Sequence, residues 1–240
     1  MKAVSTMVKK SMYRTAETHR DFYEYDEVAI PLQTGSQCLF HTTTLSPFNA
    51  ICPPAQNDGI NGRTGNAIQP VSYTFEGHAI IEGSTNNINS RISNVRVVAG
   101  FYNGERPIAP DLAMNDLFIY GNNTQGLSND FKDTYKKFNW NVFRPFYDRV
   151  FKVAPEFQMT DSAGINLGNF AGFHKDGFKI NIKHNFAKGS QLTCEAHNSG
   201  QWRKNNIALI VIARNARDDT TVSTLNLEVQ GLGCLTYKDI

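Results

Sequence analysis

Along residues 178–186 apolar and polar side chains alternate without a break. Phe178, Ile180, Ile182, His184 and Phe186 fall on one side of an extended chain, and Lys179, Asn181, Lys183 and Asn185 on the other. A period of two predicts a strand that buries one face and wets the other. Comparable patterns predict strands over about 23–32, 37–44, 66–82, 91–102, 139–154, 190–196, 206–214 and 221–237. Sustained 3.6-residue periodicity is nearly absent. The best helical candidates are short: Asp111–Phe118, with Asp111 as N-cap, and Asn129–Lys137. Connections of roughly 8 to 20 residues suit the crossings of Greek keys better than tight meanders. The pattern therefore predicts an all-β fold: an eight-stranded antiparallel jelly roll, a β-sandwich of two Greek keys, with short helical insertions.

Composition agrees with a folded body. Of 240 residues, 40% are apolar and only 19% charged, too hydrophobic a balance for a disordered chain. The 24 asparagines, with the Thr, Gly and Ser between apolar segments, favour turns and long loops. The longest apolar run, Ile207–Ala213, is far below the roughly 20 residues of a membrane-spanning helix, so no membrane insertion is expected. The N-terminus lacks the apolar core of a secretory signal.

Charge is unevenly placed. The net charge is +2, but residues 1–20 hold Lys2, Lys9, Lys10, Arg14 and Arg20 against Glu17, so this segment carries 5 − 1 = +4 and the rest 2 − 4 = −2. The division expected is a basic, flexible arm over 1–20 and one domain over 21–240. Cys38, Cys52, Cys194 and Cys234 are widely spread and form no C-x-x-C, which favours free thiols over bridges.

Motifs of known catalysis are missing: the sequence has no H-E-x-x-H, G-x-S-x-G, Walker A or G-x-G-x-x-G pattern. Cys194, His197 and His184 make a poor zinc set, because i and i+3 on a strand face opposite ways. Residues 57–62 look faintly like a calcium loop but carry too few carboxylates. Asn122-Asn123-Thr124 is a glycosylation sequon with meaning only in the secretory pathway. No cofactor, metal or catalytic residue is expected, and the chain is not expected to be an enzyme.

Three segments carry a resemblance. Arg63-Thr64-Gly65-Asn66-Ala67-Ile68 leads from a turn into an alternating strand, V-F-R-P-F-Y-D-R-V-F-K-V occupies 142–153, and Leu235-Thr236-Tyr237-Lys238-Asp239 lies near the C-terminus. In content and order they resemble the R-x-G-x-x-I element, the Y-D-[KR]-x-F strand and the terminal strand of capsid proteins of circular Rep-encoding single-stranded DNA viruses and their tombusvirus-like relatives. The resemblance spans roughly residues 22–240. It implies a single jelly-roll subunit that assembles with copies of itself into a small icosahedral shell, T=1 with sixty subunits, around a circular single-stranded DNA genome. It further implies a virion protein, assembly in the host nucleus and an unknown host receptor. Relatives usually carry a long Arg-rich arm, whereas this leader is short and Lys-leaning. Sixty leaders bring roughly 240 charges, far fewer than the phosphates of a genome above a thousand nucleotides.

The candidate nucleic-acid residues follow. Lys2, Lys9, Lys10, Arg14 and Arg20 suit phosphates held by counterion release without reading sequence; the alternative is a solvated leader, within which V-K-K-S-M-Y-R also resembles a weak nuclear-import signal. Arg63 either faces the genome or satisfies carbonyls at a strand entrance, and Gly65 is expected at positive φ. Around Lys136 and Lys137, basic residues interleave with Phe131, Tyr135, Phe138 and Trp140, and Trp202 adjoins Arg203 and Lys204. Both patches suit base stacking, or else their aromatics are core or subunit contacts edged by solvated lysines. Lys179 and Lys183 occupy a polar strand face that turns either inward to a genome or outward to solvent. Asp148, in the resembling strand, is expected to meet a cation across a subunit boundary. Rival readings are a lectin-like jelly roll with Trp202 stacking on sugars, an RNA-virus coat of the same fold, and a β-sandwich enzyme using Asp148 with His174 or His184, which no local arrangement supports.

Overall fold

The alternation at 178–186 is a strand in the computed structural model, and its apolar side closes a core between two sheets. The structure describes residues 17–31, 37–40, 54, 63–82, 93–103, 118–119, 135, 137–153, 157–160, 166–170, 177–194, 202–204, 206–215 and 226–239. Among these, fourteen strands follow in chain order: β1 (Thr18–Pro31), β2 (Gln37–Phe40), β3 (Ala67–Glu82), β4 (Ser93–Tyr102), β5 (Phe118–Ile119), β6 (Lys137–Phe138), β7 (Phe143–Val153), β8 (Phe157–Thr160), β9 (Asn166–Phe170), β10 (Gly177–Asn185), β11 (Leu192–Cys194), β12 (Trp202–Lys204), β13 (Asn206–Asn215) and β14 (Asn226–Asp239).

All pairings are antiparallel. The first sheet runs β1-β14-β3, with β10 along most of the far edge of β3 and β11-β12 at its start; the second runs β2-β13-β4-β7. The long strands pair in a nested series, β1 with β14, β2 with β13, β3 with β10 and β4 with β7, as if one long ribbon had been folded at its middle and rolled. Successive partners alternate between the two sheets, so the ribbon closes on itself as a sandwich.

The core follows from period two in each strand. Tyr73, Phe75 and Ala79 of β3, Phe178, Ile180 and Ile182 of β10, and Leu227, Val229, Leu235 and Tyr237 of β14 face Val95, Val97 and Ala99 of β4 and Ile207, Leu209 and Val211 of β13. Each large apolar side chain so buried contributes roughly 1.5–3 kcal/mol relative to exposure. Rings join the layers: Phe151 stacks on Phe178 at 4.1 Å, and His184 on Phe146 at 4.1 Å. Burial lowers the pKa of His184, which favours the neutral ring within this cluster.

At the centre of the first sheet Gly77 lies opposite Gly231, and the Phe75 ring fills the space above both. A Cβ on Gly231 would meet Phe75 Cζ and the Glu76 carbonyl oxygen, both at 2.7 Å, so the ring sits there only because neither residue has a side chain.

The two sheets differ in cover. On the outer side of the second, Val98, Ala208 and Ile210 are fully buried, and Phe138 of the β5-β6 pair packs with Phe118 at 5.1 Å and with Phe143 at 4.9 Å. The outer side of the first exposes Phe22, Ile80 and Leu232.

Several expectations change. No α-helix occurs among the described residues; most of 111–118 and 129–137 lies outside them, and their ends, Phe118 and Lys137, are strand residues that flank the β5-β6 pairing. Thr18, His19 and Arg20, assigned to the arm, belong to β1, because β14 offers them backbone partners. Gly189 is the described glycine with positive φ, 87°, and Gly65 is not one. Cys194 and Cys234 are free thiols; Cys52 and the Cys38 side chain lie outside the described residues.

Candidate nucleic-acid interface

The registers of β1, β14, β3 and β10 set out the exposed face of the first sheet row by row. Arg20 stands opposite Thr236, and Thr236 opposite Ser72. In the next row Phe22, Cys234, Thr74 and Lys183 lie side by side, followed by Glu24, Leu232, Glu76 and Asn181, and then by Gln230, His78 and Lys179. All of these except Glu24 and Asn181, which stand at its two margins, line an open depression of about 780 Å³ whose cationic groups are Arg20, Lys179 and Lys183 and whose carboxylate is Glu76. Phe22 is 55% exposed at its edge. Burial pushes the Cys234 thiol pKa up, so the sulfur stays protonated and weakly polar.

Arg63 is part of a structural knot beside this face. Its side chain is buried, with Nε donating to the Pro54 carbonyl at 3.0 Å and Nη1 to the Gly65 carbonyl. Of the two readings of Arg63, the structure has the guanidinium that satisfies carbonyls at a strand entrance, and its place among the nucleic-acid candidates is corrected: these donors are turned onto the backbone at the entrance to β3. The following residue ties this entrance to the far end of the chain, because the Thr64 backbone N–H and Oγ1 donate to Asp239 Oδ2 at 2.7 and 2.6 Å. Burial raises the Asp21 carboxyl from 3.8 to about 6. It also drives the Tyr237 phenol pKa up, with the charges of Asp21 and Asp239 adding to the effect, and His19 stacks on that ring at 5.4 Å.

A second expectation is corrected on the other sheet. Asp148 meets its cation within the same chain: Arg96 Nε donates to Oδ1 at 2.7 Å and Nη2 to Oδ2 at 2.6 Å. The Arg96 guanidinium also lies 4.7 Å from the centroid of the Phe138 ring. Arg96 sits on the outer side of β4 against Phe138 of the β5-β6 pair, where burial strips most of the solvation from a lone cation, and Asp148 supplies counter-charge.

The remaining candidates divide. Lys2, Lys9, Lys10, Arg14 and Lys136 lie outside the described residues, as do the side chains of Trp202, Arg203 and Lys204, whose backbone forms β12 at the margin of the first sheet. The interleaved patch splits, with Phe138 buried and Tyr135, Lys137 and Trp140 exposed. The structure thus brings Arg20 together with Lys179 and Lys183, which the sequence separates by more than 150 residues. The polar side of the 178–186 alternation was the available signal. What it lacked was the register that sets β10 three strands from β1.

No family model matches the chain, and no curated protein matches it. Among solved structures it is similar to a chain of desmodium yellow mottle tymovirus at 9% identity and a TM-score of 0.31, covering 94% of this chain and 89% of that one. It is similar to the 60-mer BFDV capsid protein at 11% identity and a TM-score of 0.32, covering 93% of each. A third likeness is to the infectious bursal disease virus VP2 subviral particle, at 10% identity and a TM-score of 0.23, covering 92% of this chain and 30% of that one.

Proposed function

We propose that this protein is a viral capsid subunit of the jelly-roll type, whose role is mechanical: it assembles with copies of itself into a closed shell that encloses single-stranded nucleic acid. The observation that carries the reading is the meeting of two resembling segments across the nested ribbon. Thr64, in the R-x-G-x-x-I element, bonds to Asp239 of the terminal strand, 175 residues away, while Ile68 pairs with the same residue in the ladder. The third segment, containing Tyr147-Asp148-Arg149, forms β7 at the edge of the second sheet and anchors Arg96. Residues that suggested a capsid as a string thus hold together the parts of the sandwich a capsid would use. The nested order supports the jelly roll, and the finer reading is a T=1 shell of sixty subunits around circular single-stranded DNA, found in the virion and put together in the host nucleus. The basic leader gathers phosphates by screened electrostatics. No part of the role requires turnover, so the chain is not an enzyme.

Sedimentation and negative-stain imaging of the purified chain at low and high salt test this. Uniform closed particles that dissociate on dilution or with salt are expected, some with a nuclease-resistant excess of absorbance at 260 nm. A monomer or small oligomer under every condition would overturn it.

A further inference from the structure

The exposed face of the first sheet has a chemistry that the shell reading alone does not require. We infer that the depression between Arg20 and Lys179/Lys183 is a binding surface for single-stranded nucleic acid, with Phe22 as the platform on which a base stacks. The inference rests on the capsid reading for its biological occasion and on the following for its chemistry.

Charge selects the occupant first. Arg20, Lys179 and Lys183 face Glu76 within the depression and Glu24 at its margin, so three cations meet two carboxylates and the surface is net positive although residues 21–240 together sum to −2. A field opposed to that of the rest of the domain points to a polyanion. Spacing selects next: Lys179 and Lys183 are separated along one strand by about 13 Å, and Arg20, three strands across and level with Asn185, stands about 16 Å from Lys183 and about 25 Å from Lys179 at the usual rise and strand spacing. Cations spread so far apart suit an extended polymer and are too distant to converge on one phosphate. Phe22 then distinguishes a nucleic acid from other polyanions. Its ring is 55% exposed and shares a row with Thr74 two strands over and Lys183 three strands over, which sets an aromatic surface, a hydroxyl and an ammonium along about 14 Å of one face, with Arg20 two residues from the ring on its own strand. That is the combination that holds a base and its phosphate without reading sequence.

The test uses the full chain, dissociated from any shell, titrated with a labelled oligothymidine and separately with polyphosphate. The triple variant Arg20→Gln/Lys179→Gln/Lys183→Gln should bind oligothymidine about tenfold or more weakly at moderate salt, with a log–log salt slope smaller by about 2, at about 0.7 per contact on a single strand. Phe22→Leu should weaken oligothymidine binding and leave polyphosphate binding unchanged. Arg144→Gln/Arg149→Gln/Lys152→Gln removes as much charge from exposed positions on β7 of the other sheet and should alter neither the slope nor the affinity appreciably. Equal losses in both triple variants would overturn the inference in favour of diffuse attraction. An unchanged titration with altered sedimentation of the first triple variant would overturn it in favour of a contact between copies. A wild-type chain that binds oligothymidine through this face but never forms shells would uphold the inference while removing the capsid reading. Circular dichroism of each variant establishes that the sandwich is intact.

Discussion

Replacing Asp148 with alanine leaves the Arg96 guanidinium beneath the β5-β6 pair without its counter-ion. The Arg96 side chain is 9% exposed and that of Asp148 is 36% exposed, and two hydrogen bonds at 2.7 and 2.6 Å join them. Breaking a fully buried pair from one side costs about 3–5 kcal/mol, while an exposed pair contributes about 1 kcal/mol or less. With one partner buried and the other about a third exposed, Asp148→Ala should cost about 2–3 kcal/mol, and Asp148→Asn, which keeps one acceptor, about half as much. Urea unfolding of the dissociated chain reads this as a lower midpoint at unchanged slope. In a thermal scan it appears as a fall of roughly 2–4 °C per kcal/mol for a chain of this size. Arg149→Ala serves as the comparison. That side chain is exposed, lies 5.4 Å from the Tyr147 ring centroid and should cost below about 1 kcal/mol. If Asp148→Ala costs no more than Arg149→Ala, the guanidinium finds solvent or another acceptor, and the argument from burial is wrong.

Arg63→Met keeps the length of the side chain but removes its donors to Pro54 and Gly65; stability should fall by about 2–4 kcal/mol with oligothymidine binding unchanged, and a binding loss in a folded variant would restore a nucleic-acid role for this residue. Asp21 titrates near pH 6 when folded and near 3.8 otherwise, so its contribution is fully present below about pH 3.8 and is lost as the pH rises through 6. Asp21→Asn should flatten that decline and raise the urea midpoint above neutrality; identical pH profiles for variant and wild type would refute it. Gly231→Ala should destabilise by about 1–3 kcal/mol through contact with the Phe75 ring, and Phe75→Leu in the same chain should recover part of the loss. Strict additivity of the two, measured by a double-mutant cycle, would mean that the ring does not occupy that space.

The strands that alternate most cleanly were legible from the chain, because period two reports burial directly. β10 and β3 fall within a residue or two of their expected limits. β5, β6, β8, β9 and β12 were missed, being two to five residues long and held by pairing that no local pattern announces. Phe138 shows the limit of reading a site in the same way. Its neighbours Lys136, Lys137 and Trp140 made it look like part of a stacking surface, yet its ring packs on Phe118, Phe143 and Arg96. Arg63 illustrates the converse: a cation next to a turn is equally compatible with a ligand and with two carbonyls until the chain closes around it. The exposed cationic face was least legible of all, since its residues come from strands near both ends of the sequence and become neighbours only through register.

Nesting also sets a clock. β14 lies between β1 and β3 in the first sheet, and it is the last of the described strands to be synthesised. A ribosome must therefore reach Asn226–Asp239 before Thr18–Pro31 can find its neighbour, and until then the sheet has a gap between β1 and β3. In that interval the hazard is aggregation through the unpaired edges of β1 and β3. Speed of translation through β14, more than through the strands before it, should thus govern the yield of folded protein.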